Sequence, residues 1–114
     1  MVNALKNKNR QSHRGYFIKQ NMSETSKKFF TFEIVSNETV TYSESLSNLR
    51  GISYGLAIKT NMALDYESMD TILFNDRKYT IQGFTELLQD VNLASNKLVK
   101  KSYNKSKYWV ILIS

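Results

Sequence analysis

At 114 residues with 41% hydrophobic side chains, the chain has the size of one compact domain and too many separated apolar clusters for general disorder. It has no cysteine, which excludes disulfides, thiolate nucleophiles and cysteine-ligated metal or iron–sulfur sites. The net charge of +6 is segregated: residues 1–28 hold seven bases against Glu24 alone, residues 29–90 four bases against nine acids, and residues 91–114 five lysines and no acid. Basic ends of this kind suit phosphate or an acidic protein face, and the acidic middle suits packing or a basic partner.

The start of the chain lacks the apolar core of a secretion signal. Residues 1–28 are rich in Asn, Lys, Gln and Ser, with little beyond Leu5, Tyr16-Phe17-Ile18 and Met22 to bury. This composition predicts a flexible basic arm, with a short N-terminal strand as the alternative. Regular structure is expected from Phe29, because Phe30, Phe32 and Ile34 alternate with Thr31 and Glu33 at strand period. Ser36-Asn37-Glu38 reads as a turn and Thr39-Val40-Thr41-Tyr42 as the returning strand of a hairpin.

From Tyr54 to Thr60 a strand is expected with Tyr54, Leu56 and Ile58 on one face. Gly55, Ala57 and Lys59 lie on the other, where small residues admit another chain segment or face solvent. Asn61 to Met69 reads as a loop pinned to the core by Leu64, Tyr66 or Met69. The clearest local pattern is 70–81: a two-residue turn at Asn75-Asp76 pairs Phe74 with Arg77, Leu73 with Lys78 and Ile72 with Tyr79. That register puts Ile72, Phe74, Tyr79 and Ile81 on one face.

After Gly83, the spacing of Phe84, Leu87, Leu88 and Val91 predicts a short helical turn, and the polar, basic residues 92–106 read as a loop or hairpin tip. Trp109 to Ile113 is apolar on both faces and far shorter than the ~20 residues of a membrane-spanning helix, so it reads as a strand covered on both sides. The fold class expected is mainly β: a small antiparallel β-barrel over 29–114, one short helical turn, and the basic arm over 1–28. Closing the barrel removes the exposed edges that an open sheet of short strands would leave.

Residue types that carry chemistry are sparse. His13, the only histidine, falls in the expected arm beside Ser12, with no orienting group for general-base work. Asp65, Glu67 and Asp70 have the oxygen chemistry of a Mg²⁺ or Ca²⁺ site but not the spacing of a calcium loop. Gly51 and Gly55 lack the pattern of a phosphate-cradling loop. No cofactor is indicated, and a non-enzymatic protein is expected. Basic residues interleaved with aromatics at both ends, Arg10, Arg14 and Lys19 near Tyr16, and Lys97, Lys100, Lys101 and Lys105 near Tyr103 and Tyr108, are candidates for non-specific contact with a DNA backbone.

The segments Tyr54-Gly55-Leu56-Ala57-Ile58-Lys59-Thr60 and 70–81, with an Asp before a strand, a tight turn and a following Tyr-x-Ile strand, resemble the small head–tail connector proteins of tailed bacteriophages, also called head-completion, stopper or head–tail joining proteins. The resemblance covers about residues 29–113, with Tyr79 and Ile81 at the family's Tyr-x-Ile core positions and Asn75 and Asp76 at its turn. It implies a β-barrel that assembles as a homo-oligomeric ring between portal and tail, in contact with portal, adaptor and tail proteins and without a membrane. The place implied is the head–tail interface of the virion, with the host cytoplasm during assembly. Ala57, Trp109, Ile111 and Ile113 are the candidate subunit or partner interface. The long basic arm and the apolar last strand depart from the family's pattern. An autonomous nucleic-acid-binding barrel, or another tail-side structural component, is the alternative.

Overall fold

The computed structural model describes residues 12–90 and 105–114. Six strands form a closed antiparallel barrel: β1 His13–Ile18, β2 Lys28–Val35, β3 Leu56–Thr60, β4 Thr71–Phe74, β5 Arg77–Asp90 and β6 Lys105–Ile113. Their order around the wall is β1-β2-β3-β6-β5-β4, so two three-stranded meanders are joined by the β3–β6 and β1–β4 pairs. Between β2 and β3 lie a short helix, α1 Asn37–Tyr42, and a 3-10 segment, Glu44–Leu49. The mainly β class expected for the chain is the one observed.

Strand alternation builds the barrel interior. Phe17 of β1, Phe30 and Phe32 of β2, Ile58 of β3, Ile72 of β4, Ile81 of β5 and Ile111 and Ile113 of β6 meet there, all buried. Ile34, the third of the β2 series, is exposed. The loop after β3 adds Tyr66 as a plug, edge-on to Phe17 with ring centroids 5.2 Å apart. A second core lies outside the wall, where Val40 of α1 and Leu46 and Leu49 of the 3-10 segment cover Ala57 of β3 and Val110 and Leu112 of β6. Thus β6 is apolar on both faces because both are covered, and the segment admitted by the small side chain of Ala57 is the chain's own helical layer.

The 70–81 hairpin has the expected register, with Asn75 and Asp76 both at positive φ (59° and 62°). Two successive left-handed residues match the right-handed twist of the flanking strands. Three other expectations are corrected. The arm expected over 1–28 contains β1 in its described part; Gly15 and Phe17 face inward while Arg14 and Tyr16 face out, and this strand closes the barrel against both β2 and β4. The inward glycine masked the alternation.

The expected 39–42 strand is α1 instead. Ser36 caps it, its Oγ accepting from the Thr39 amide at 3.1 Å, and burial of Val40 outweighs the strand propensity of Thr39-Val40-Thr41. The helical turn expected after Gly83 is a continuation of β5, whose pairing with β6 shifts register between Ile81 and Gly83. Phe84 packs into the barrel and Leu87 against the outer core, so a spacing of three that resembled one helix face is a strand with both faces used.

Beyond Trp109, β6 pairs with β5 alone among the described residues, and the two continue as a two-stranded ribbon to Asp90 and Lys105.

Candidate functional site

The acidic series before β4 is held together by a lysine. Asp70 is fully buried; its Oδ1 accepts from the Gln20 amide at 2.8 Å, and its Oδ2 from the Glu67 amide at 2.9 Å and from Lys19 Nζ at 3.0 Å. The same ammonium donates to Glu67 Oε1 at 3.1 Å and to the Asp65 carbonyl at 2.9 Å. The Asp70 amide and carbonyl add bonds to Glu67 and Ile81, so one residue ties the end of β1, the long loop and the β4–β5 hairpin together. Burial works against the charged Lys19, but the carboxylates of Asp70 and Glu67 outweigh it and raise its pKa above 10.5. The positions that resembled a cation site hold the chain's own cation, and no cluster of metal-ligating side chains is found among the described residues.

Lys19, a candidate for DNA contact, is therefore engaged in an internal ion pair. Arg14 is exposed on the outer side of β1. Arg10, Lys97, Lys100 and Lys101 lie outside the described residues, as does the loop expected over 92–106 up to Asn104; Lys105 opens β6 opposite Asp90. His13, expected in the flexible arm, is a half-buried strand residue stacked on Phe32 at 5.9 Å and edge-on to Phe74 at 5.5 Å.

The interface expected at Ala57, Ile111 and Ile113 is corrected. Each is 0–1% exposed in the chain's own cores, which leaves no surface to offer a second subunit. Trp109 is half-buried and packs on the inner core beside Tyr66, so it is the one of the four with an accessible part.

Charge divides differently from the sequence-level picture. All of the excess lies in residues 1–11, with Lys6, Lys8 and Arg10, and in 91–104, with Lys97, Lys100 and Lys101; neither stretch contains an acid, and the remaining residues carry ten bases and ten acids. The described body is electrically balanced. Ser12, which follows the first basic stretch, and Ser106, which lies just past the second, line the same groove of about 310 Å³ on the outer side of β2, β3 and β6. Thr31, Glu33, Lys59, Asn61 and Tyr108 line it too, with Lys59 Nζ 4.7 Å from the centre of the Tyr108 ring. Among the described residues the lining is mainly polar and pairs no nucleophile with a base. The alternation of charge and sequence could not reveal it, since Ser12 and Ser106 are 94 positions apart.

Tyr66 is the other perturbed group. Burial pushes its phenol well above its ordinary value near 10, and its hydroxyl donates to the Met62 carbonyl at 2.6 Å. Both Tyr66 and Lys19 hold their protons more tightly folded than unfolded, so their stabilisation is complete below about pH 10 and is lost as pH rises past it. Urea unfolding at a series of pH values is expected to show stability falling above about pH 10, and Tyr66→Phe to flatten that fall. A wild-type profile still level at about pH 11 would contradict the assignment.

No helix among the described residues is long and apolar enough to cross a membrane. Comparison with family models, with curated proteins and with solved structures finds no match to this chain.

Proposed function

We propose that the chain is a non-enzymatic structural subunit of a tailed-phage head–tail connector, a stiff barrel that joins a ring through protein contacts and carries two basic stretches toward packaged DNA. The observation that supports this reading best is the division of charge: an electrically balanced barrel, with the whole excess of +6 in residues 1–11 and 91–104. A balanced body does not repel its copies, and basic stretches repeated around a ring add many weak phosphate contacts into avidity without base recognition. The resemblance of the 70–81 hairpin to the connector family supplies the kind of assembly.

Side chains that can carry subunit contacts lie on the outer surface and not at Ala57, Ile111 or Ile113: Tyr42, Leu88 and Met69 are among the most exposed large apolar groups, and Trp109 is half-buried. Sedimentation of the full chain at two salt concentrations, with and without DNA, tests the reading. Oligomers of defined mass that persist at high salt without DNA are expected. A monomer whose sole association is salt-sensitive binding to DNA would instead favour the autonomous nucleic-acid binder. Portal, terminase and tail genes beside this one would weigh in the same direction as the oligomer.

A further inference from the structure

We propose that the outer groove between β1 and the β4–β5 hairpin is a binding site for single-stranded nucleic acid, with Tyr16 as its stacking platform. The site is formed by residues of the barrel body and does not depend on the connector reading.

The groove has a volume of about 540 Å³. Its cations are Arg14 of β1, Lys27 just before β2, and Arg77 and Lys78 of β5, and none of the four forms an ion pair among the described residues. Glu24 and Asp76 also line it, which leaves a local excess of two positive charges among the described residues of a body that is balanced as a whole. Tyr16 stands in the wall with 39% of its surface open. Its ring is held edge-on by Phe29, with centroids 6.0 Å apart, and Lys27 Nζ lies 4.7 Å from its centre.

Each part has a counterpart in a nucleotide chain. Cations set along a groove track successive phosphates, and an exposed aromatic ring stacks a base of any identity. The ring sits on a strand paired on both sides, so stacking orders no loop. Lys27 is a point charge on a flexible stem and can turn from the ring face to a phosphate when a base takes its place. A concave site of this volume admits a strand with its bases splayed, whereas a duplex keeps its base faces stacked inside. An acidic peptide would satisfy the cations and leave the open ring unused.

Fluorescence anisotropy of the full chain with a labelled oligothymidylate of about 12 nucleotides, a duplex of equal length and polyglutamate tests the site. Tyr16→Ala is expected to weaken strand binding about tenfold or more, Tyr16→Phe to recover most of the loss, and Arg14→Gln with Arg77→Gln to weaken it and lower the salt dependence. Replacing Lys97, Lys100 and Lys101 by Gln should weaken strand and duplex alike, without changing the ratio between Tyr16 and Tyr16→Ala proteins. All of these side chains lie outside the barrel core or outside the described residues, and thermal unfolding of each variant checks that it folds. Groove variants that bind the strand like wild type would overturn the proposal. So would variants that lose duplex or polyglutamate binding by the same factor as strand binding.

Discussion

Replacing Asp70 by alanine is expected to destabilise the fold by about 3–5 kcal/mol, the range for removing one partner from a buried ion pair. Its carboxylate is almost fully hidden and accepts from two backbone amides and one ammonium; the variant leaves the amides of Gln20 and Glu67 without their acceptor. Asp70→Asn keeps the volume but cannot keep the pattern, because one of the two oxygens becomes a donor. Whichever way the amide turns, its NH₂ faces at least one N–H. Lys19→Met is expected to be milder, since Asp70 then retains both backbone donors and the lysine site is partly open to water, where ion pairs contribute less. Urea unfolding orders the three variants; an Asp70→Asn protein as stable as wild type would remove this residue from its role. A domain's whole stability is about 5–15 kcal/mol, so the alanine variant should sit near the limit of folding.

Gly15→Val is expected to be the most damaging change that adds atoms. A Cβ at this position would lie 2.8 Å from the Leu73 carbonyl oxygen and 3.0 Å from Phe32 Cε2. The first is backbone in the β1–β4 pairing that closes the wall, and the second is a core ring, so neither can yield without moving a strand. Overpacking of this kind costs about 1–3 kcal/mol and occasionally more; alanine should fall within the range and valine at or above its top. Gly83 is the control. A Cβ there would meet Ile52 Cδ1 at 2.7 Å, but that atom ends a flexible side chain that can turn away, so Gly83→Ala should change stability little. Thermal unfolding separates the two, and equal melting points would show that β1 can shift.

What was legible in the sequence follows the range of the interactions. The 70–81 hairpin depends on a turn and on alternation within twelve residues, and both its register and its inward face were readable. The two-sided strand Trp109 to Ile113 was readable for the same reason. α1 was not: its residues favour strand, and the reason they coil is Ala57, Val110 and Leu112, which arrive far later in the chain. β1 was hidden because its inward positions include a glycine and a histidine, whose meaning appears once Phe30, Phe32 and Phe74 surround them. Among the candidate site residues, apolar character alone marked Ile111 and Ile113, and it does not distinguish an interface from a core. Lys19 looked like one more arm cation because its partners Glu67 and Asp70 lie about fifty positions away.

The ribbon formed by the far ends of β5 and β6 is held differently from the wall. Each strand of the closed wall pairs with two neighbours, β2 and β5 doing so over successive stretches of their length and β6 over Trp109 to Ile113 on both sides at once. Where the ribbon runs past Trp109, β6 has no β3 partner among the described residues, and Lys105 to Tyr108 pair with β5 alone. Glu86 and Lys107, bridged at 3.4 Å, place charge along that margin, a common guard against unselective sheet growth. Among the described residues, β6 is therefore held from two sides in the barrel wall and from one side along this tip, so the tip keeps its shape through its ladder to β5 alone.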